Sequence, residues 1–170
     1  MQETENSALE KHVVALAFPY GSHAAPLLSL VNRIATTAPE VKFSFLSTAI
    51  SNRTIFSDPT NQVNINIKPY DVADGLPEGY AANKSPIIEA IGMFLKATPG
   101  NFESVMEVAV AETGRKISCV MSDAFFYFAG KMAEEMGVPW VPLWTAGPRS
   151  LLAHVYTDLI RQRLGSTSGN

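Results

Sequence analysis

The sequence predicts an α/β chain built as a doubly wound parallel sheet, and three observations lead there. Short unbroken apolar runs, such as VVALAF at 13–18, have the pattern of strands buried on both faces of a parallel sheet. The segments between them carry the i, i+3, i+4, i+7 spacing of helices. Strand and helix alternate along nearly the whole chain, so the connections are right-handed crossovers. With 170 residues, 46% of them hydrophobic, one domain can close a full core.

Residues 13–18 form the first predicted strand. It ends at Pro19 and turns through Tyr20, Gly21 and Ser22. Leu27, Leu30, Val31 and Ile34 then follow helical spacing, with Ser22 as the expected N-cap and Pro26 in the first turn, where its missing N–H is harmless. Residues 41–47 read as a second strand, and 63–67, alternating with asparagines, as a third nearer a sheet edge. The stretch YDVADGLPEGY at 70–80 reads as a turn-rich loop. Residues 86–111 read as two helices parted at Pro99-Gly100. Residues 117–121 give a fourth strand, 126–136 a helix ended by Gly137, 139–144 a fifth strand and 150–163 a last helix. Residues 1–11 are expected to be a flexible polar start, 12–164 the domain, and 165–170 (GSTSGN) the beginning of a linker.

Composition narrows the function classes. The net charge is −3 and Lys and Arg do not cluster, so no nucleic-acid footprint is present. Charged residues make up 17%, below the usual quarter, which fits a domain with an uncovered apolar face. The lone Cys119 makes neither an internal disulfide nor a cysteine zinc site, so a reduced, cytoplasmic setting is expected. The start MQETENSALEKH lacks the apolar segment of a secretory signal, and no run reaches the ~18 to 20 apolar residues of a membrane span. A dinucleotide GxGxxG, a GxxxxGK[ST] phosphate loop, a GxSxG elbow and metal-ligand spacing are all missing.

What remains is a constellation at strand ends. In an open parallel sheet, ligands sit outside the carboxyl ends of the strands where the strand order reverses. His23 follows the first strand, Asp123 the fourth and Thr145 the fifth, so residues 100 apart in sequence are expected to meet in one crevice. A neutral imidazole, whose reference pKa is about 6.5, accepts a proton near neutral pH, and a carboxylate on its other nitrogen fixes the tautomer. With no serine or cysteine nucleophile beside it, such a pair suits deprotonation of a hydroxyl on a bound acceptor. Ser22 and the amides of the first helix stand where a phosphate would be held. The same residues have plainer readings: His23 as a turn residue, Asp123 as a helix cap, and the aromatics Phe18, Tyr20 and Phe125 as core filling.

Taken together, HVVALAFPYGSHAAPLLSLV, VADGLPEGY and AVAETGRKISCVMSDAFFYFAGKMAEEMGVPWVPLWTAGPRSLLAHVYTDLIR resemble the N-terminal half of plant family 1 UDP-glycosyltransferases, most of all flavonoid and anthocyanidin 3-O-glucosyltransferases. The likeness runs from about residue 12 to about 164. It implies a GT-B fold, two Rossmann-like domains across a cleft, of which this would be the acceptor-binding one. It further implies an inverting, metal-independent transfer of glucose from UDP-glucose to a flavonoid 3-hydroxyl, with no cofactor beyond that co-substrate. His23 would be the general base and Asp123 its orienting partner. Thr145 would contact the donor sugar and Ser22 the donor phosphate. Phe18, Gly21, Phe125 and His154 would line the acceptor pocket, with Tyr20 offering a further ring for stacking. The family's donor box, rich in Trp, Gln, His and Glu, is not in these residues, so the partner expected is a C-terminal donor domain. Lys84–Gly92 departs from the family pattern and supports no acceptor contact. Two other readings stand beside this one: a non-catalytic flavonoid-binding domain, and a relative acting on other phenols or terpenoids.

Overall fold

A computed structural model describes residues 11–80 and 86–165. Expectations for 1–10, 166–170 and the pair 84–85 lie outside the described residues. Five parallel strands make one sheet: β1 (His12–Leu16), β2 (Lys42–Thr48), β3 (Ile67–Val72), β4 (Cys119–Asp123) and β5 (Trp140–Leu143), in the order β3-β2-β1-β4-β5. The order reverses between β1 and β4, as the doubly wound reading predicts.

The unbroken apolar run of β1 has a direct cause. Val14 and Leu16 belong to one core with Phe94, Phe102, Val120, Phe126 and Ala129. Ala15 and Ala17 belong to the other, with Leu27, Leu28, Val31, Phe43 and Phe45. Because successive side chains point to opposite faces, a strand covered on both sides favours apolar residues at successive positions. Helices α1 (Ala24–Thr37) and α2 (Ala49–Phe56) cover one face; α3 (Ile87–Thr113) and α4 (Phe128–Glu135) cover the other. Two short helices, α5 (Pro148–Val155) and α6 (Thr157–Leu164), close the described chain.

Five expectations need correction. The third strand is Ile67–Val72, so it overlaps 63–67 only at Ile67 and takes the first residues of the expected loop. Asn64 and Asn66 are not strand residues: Asn64 bonds the Asn32 side chain, and Asn66 Nδ2 donates to the carbonyls of Ala38 and Val41. Pro69 is tolerated within β3 because this is an edge strand, where a missing N–H costs no ladder bond. The two helices expected across 86–111 are one, α3, because a single buried face (Ala90, Phe94, Thr98, Phe102, Met106, Ala109) runs straight past Pro99. The carbonyl that Pro99 leaves without its helical donor is that of Leu95, an exposed residue, and Thr98 Oγ1 turns back to donate to the Phe94 carbonyl.

The last helix is instead a pair broken at Tyr156; neither α5 nor α6 buries a residue, so no core contact imposes a common axis. Ser22 does not cap α1. His23 occupies the N-cap position with no side-chain cap bond, and Ser22 is exposed. Asp123 does not cap α4 either; the N-cap there is Tyr127, and the carboxylate holds the turn ahead of it. Gly137 ends α4 as expected, in the left-handed region at φ +66°.

Candidate functional site

The crevice lies at the carboxyl ends of β1, β4 and β5. Pro19 stops β1 and Gly21, at φ +61°, reverses the chain so that His23 sits at the mouth of α1. Asp123 is the last residue of β4 and is 1% exposed. Thr145 lies in the turn that follows β5.

These three side chains meet. His23 Nδ1 is 2.7 Å from Asp123 Oδ2 and 2.8 Å from Thr145 Oγ1. Asp123 Oδ1 accepts the Phe125 N–H at 2.9 Å, so one carboxylate orients the ring and holds the turn after β4. The two carboxylate oxygens thus have separate partners, the His23 ring and the Phe125 N–H. A carboxylate has no proton to give, so Nδ1 is the protonated nitrogen and Nε2 carries the lone pair. Nε2 has no hydrogen-bond partner among the described residues, and the His23 side chain keeps 21% of its surface exposed. Chemically, the arrangement is an oriented imidazole ready to accept a proton.

Aromatic rings hold that imidazole in place. The Phe18 ring stands edge-on to His23 with centroids 5.1 Å apart, and Phe125 lies 4.8 Å away. Phe18 itself is 5% exposed and belongs to the core, so it supports the site from beneath. Phe125, half in solvent, faces the crevice more openly. Tyr20 packs on Phe18 and Phe94, and its hydroxyl reaches the Ala90 carbonyl at 3.4 Å. Burial, and then the neighbouring Asp74 and Tyr80, push the Tyr20 phenol above its usual range, which keeps it a hydrogen-bond donor. His154 does not touch His23. It lies against Trp144, 5.2 Å away, and Trp144 in turn meets Phe125 at 6.1 Å. Ser22 is at the α1 terminus, exposed and without a side-chain bond among the described residues.

Sequence reasoning missed two features. Trp144 links Phe125 to His154, and its buried indole N–H has no partner among the described residues. A cavity of about 370 Å³ opens beside Tyr20 and Gly21, walled by Ile50 and Ile55 of α2, Leu76, and Ile87 and Ala90 of α3. Its signal was weak because α2 buries Ser51 and Asn52, leaving no apolar period to read. The Thr48 N-cap, which accepts from Ser51 N–H at 3.4 Å, was the available clue. Among the described residues, no group of three or more His, Cys, Asp or Glu side chains stands where it would hold a metal ion. No described helix is long and apolar enough to cross a membrane.

A five-stranded parallel sheet with a His–Asp contact at its switch point defines a class, the Rossmann-like α/β domains. Comparison makes this particular. The chain is 58% identical over 155 residues to a flavonoid 3-O-glucosyltransferase of Medicago truncatula, covering 91% of this chain and 34% of that protein. It is 59% identical over 157 residues to a flavonol 3-O-glucosyltransferase of Actinidia chinensis var. chinensis, covering 92% and 34%. Its fold matches a crystal structure of UDP-glucose:anthocyanidin 3-O-glucosyltransferase in complex with UDP, with a TM-score of 0.82 at 36% identity over 95% of this chain and 35% of that one. No protein-family model matches. The chain is therefore a relative of the plant UDP-glycosyltransferases, and among them of the flavonoid and anthocyanidin 3-O-glucosyltransferases. Its sheet is the N-terminal half of their GT-B fold. It spans about a third of the length of the relatives it matches.

Proposed function

We propose that this chain is the acceptor-binding half of an inverting, UDP-sugar-dependent glycosyltransferase that moves glucose from UDP-glucose to a flavonoid hydroxyl, the 3-hydroxyl of an anthocyanidin or flavonol. The observation that carries the reading is the Asp123–His23 contact at 2.7 Å, which leaves Nε2 as the proton acceptor. In the proposed step, His23 Nε2 takes the proton from the acceptor hydroxyl as its oxygen attacks the anomeric carbon. The bond from that carbon to the UDP oxygen breaks, UDP leaves with the bonding electrons, and the anomeric centre inverts. Asp123 stabilises the imidazolium that forms. UDP is a stable leaving group, so the step as proposed includes no metal.

The acceptor's flat rings stack against Phe125 and Tyr20, with Phe18 behind them and Gly21 leaving room beside the turn. His154 meets the far end of the acceptor by way of Trp144. Ser22 and the α1 amides take the donor phosphate, and Thr145 takes the donor sugar. The remaining donor contacts belong to the C-terminal donor domain, the partner of this half, and the enzyme works in the cytoplasm.

The test joins this chain to the remaining two-thirds of its Medicago truncatula relative and supplies UDP-glucose with a flavonol. Formation of the flavonol 3-O-glucoside is expected. If the joined protein binds flavonol without making product, while the parent relative turns over, the chain is a binding domain and not half of an enzyme. Product from simple phenols in preference to flavonols would keep the transferase and reassign its acceptor.

A further inference from the structure

Thr145 reaches the His23 ring itself. Its hydroxyl oxygen is 2.8 Å from the same His23 nitrogen that Asp123 approaches to 2.7 Å. One N–H serves two acceptors, because neither a carboxylate nor a protonated Nδ1 leaves another arrangement of protons. We infer that Thr145 is a positioning residue for His23: its oxygen shares the Nδ1 proton with Asp123 and fixes the plane in which Nε2 is presented. The inference rests on the reading of His23 as the base.

A single acceptor leaves the ring free to turn about the N–H···O line. A second acceptor on another element removes that freedom. Asp123 ends β4, Thr145 follows β5 and His23 follows β1, so the imidazole is tied to three strands at once. Phe18 and Phe125 flank the ring and limit the remaining tilt. Since the Thr145 oxygen accepts from His23, its own proton points away from the ring, and it has no acceptor among the described residues. A ligand oxygen that accepts that proton strengthens the Thr145 oxygen as an acceptor in turn, since chained hydrogen bonds polarise one another. The orientation of the base is thereby coupled to whatever polar ligand Thr145 touches.

The experiment reads the ring and needs no turnover. Nitrogen-15 spectra of the 170-residue chain at neutral pH resolve three histidines, His12, His23 and His154. The wild type should show His23 as the Nδ1–H tautomer with a slowly exchanging proton. Thr145→Val should speed that exchange roughly three- to tenfold, the effect expected for one neutral hydrogen bond, and mix the tautomers. Thr145→Ala should match valine, and Thr145→Ser, which keeps the hydroxyl, should match the wild type. Unchanged exchange and tautomer in both Val and Ala variants would overturn the assignment, as would a Ser variant that behaves like Val. A His23 variant with full transferase activity would remove the base but leave this positioning result intact, so the two failures are separable.

Discussion

His12 shows at the level of a single residue how burial and hydrogen bonding set a pH dependence. The ring is fully buried at the start of β1, with Nε2 2.8 Å from Ser44 Oγ and Nδ1 3.2 Å from the Arg115 carbonyl. A neutral ring satisfies both: Nδ1–H donates to the carbonyl and Nε2 accepts the Ser44 proton. Burial, the largest influence, lowers the pKa below 6.5. The unfolded chain therefore binds the proton more readily than the folded one. Stability from this residue is complete above about pH 6.5 and is lost as pH falls towards the folded pKa. Urea unfolding between pH 7.5 and 5.5 should show a loss of up to about 1.4 kcal/mol per pH unit, the limit for one proton. His12→Gln should remove that slope; an unchanged slope would assign it to other groups. His23, by contrast, is partly exposed and holds its Nδ1 against the Asp123 carboxylate and the Thr145 hydroxyl.

The elements are where sequence and structure part company, and the reasons are local. Strands β1, β2 and β4 were legible because their runs are mostly apolar and buried on both faces. Strand β3 was misplaced because the alternation of apolar residues with asparagines at 63–67 mimics an edge strand, while the true strand runs on into the turn-rich 70–80 stretch. Helix α2 was unread because it packs Ser51 and Asn52 inward, where Asn52 Nδ2 donates to the Tyr70 carbonyl at 2.9 Å and to Asp71 at 2.8 Å. The His23–Asp123 meeting was legible because strand order puts the ends of β1 and β4 side by side. Thr145 on the same nitrogen was not, since no spacing reports where a turn's side chain points. Gly75 offers a test at this scale. It has φ +70°, and a Cβ there would lie 2.6 Å from the Ala97 Cβ on α3. Gly75→Ala should destabilise by roughly 1 to 3 kcal/mol, through backbone strain and overlap together. It should also disturb the cavity that the neighbouring Asp74 and Leu76 line. A thermal melt unchanged from wild type would show that this loop is not pinned to α3.

Across the whole molecule, the low charge fraction has a visible counterpart. The residues of β5 are exposed or half-buried, and no side chain of α5 or α6 is buried, although these elements carry Val141, Leu152, Val155 and Leu164. Strands β1, β2 and β4, by contrast, are mostly buried on both faces. An apolar surface of this kind promotes association. The 170-residue chain should self-associate in sedimentation and bind a hydrophobic dye, and Leu152→Ser with Val155→Ser should reduce both. Because neither side chain is buried, each replacement should alter stability by no more than about 0.5 kcal/mol. A large loss of stability would mean that these helices pack more closely than described.

The central claim is that His23 is the base of a glycosyl transfer, and one comparison addresses it directly. In the protein joined to the remaining two-thirds of its Medicago truncatula relative, transfer from UDP-glucose to a flavonol is measured for wild type and His23→Ala, with flavonol affinity measured alongside. The account predicts a loss in kcat of at least roughly a hundredfold, the lower end for a general base, with flavonol binding retained. Equal turnover in the two proteins would contradict it.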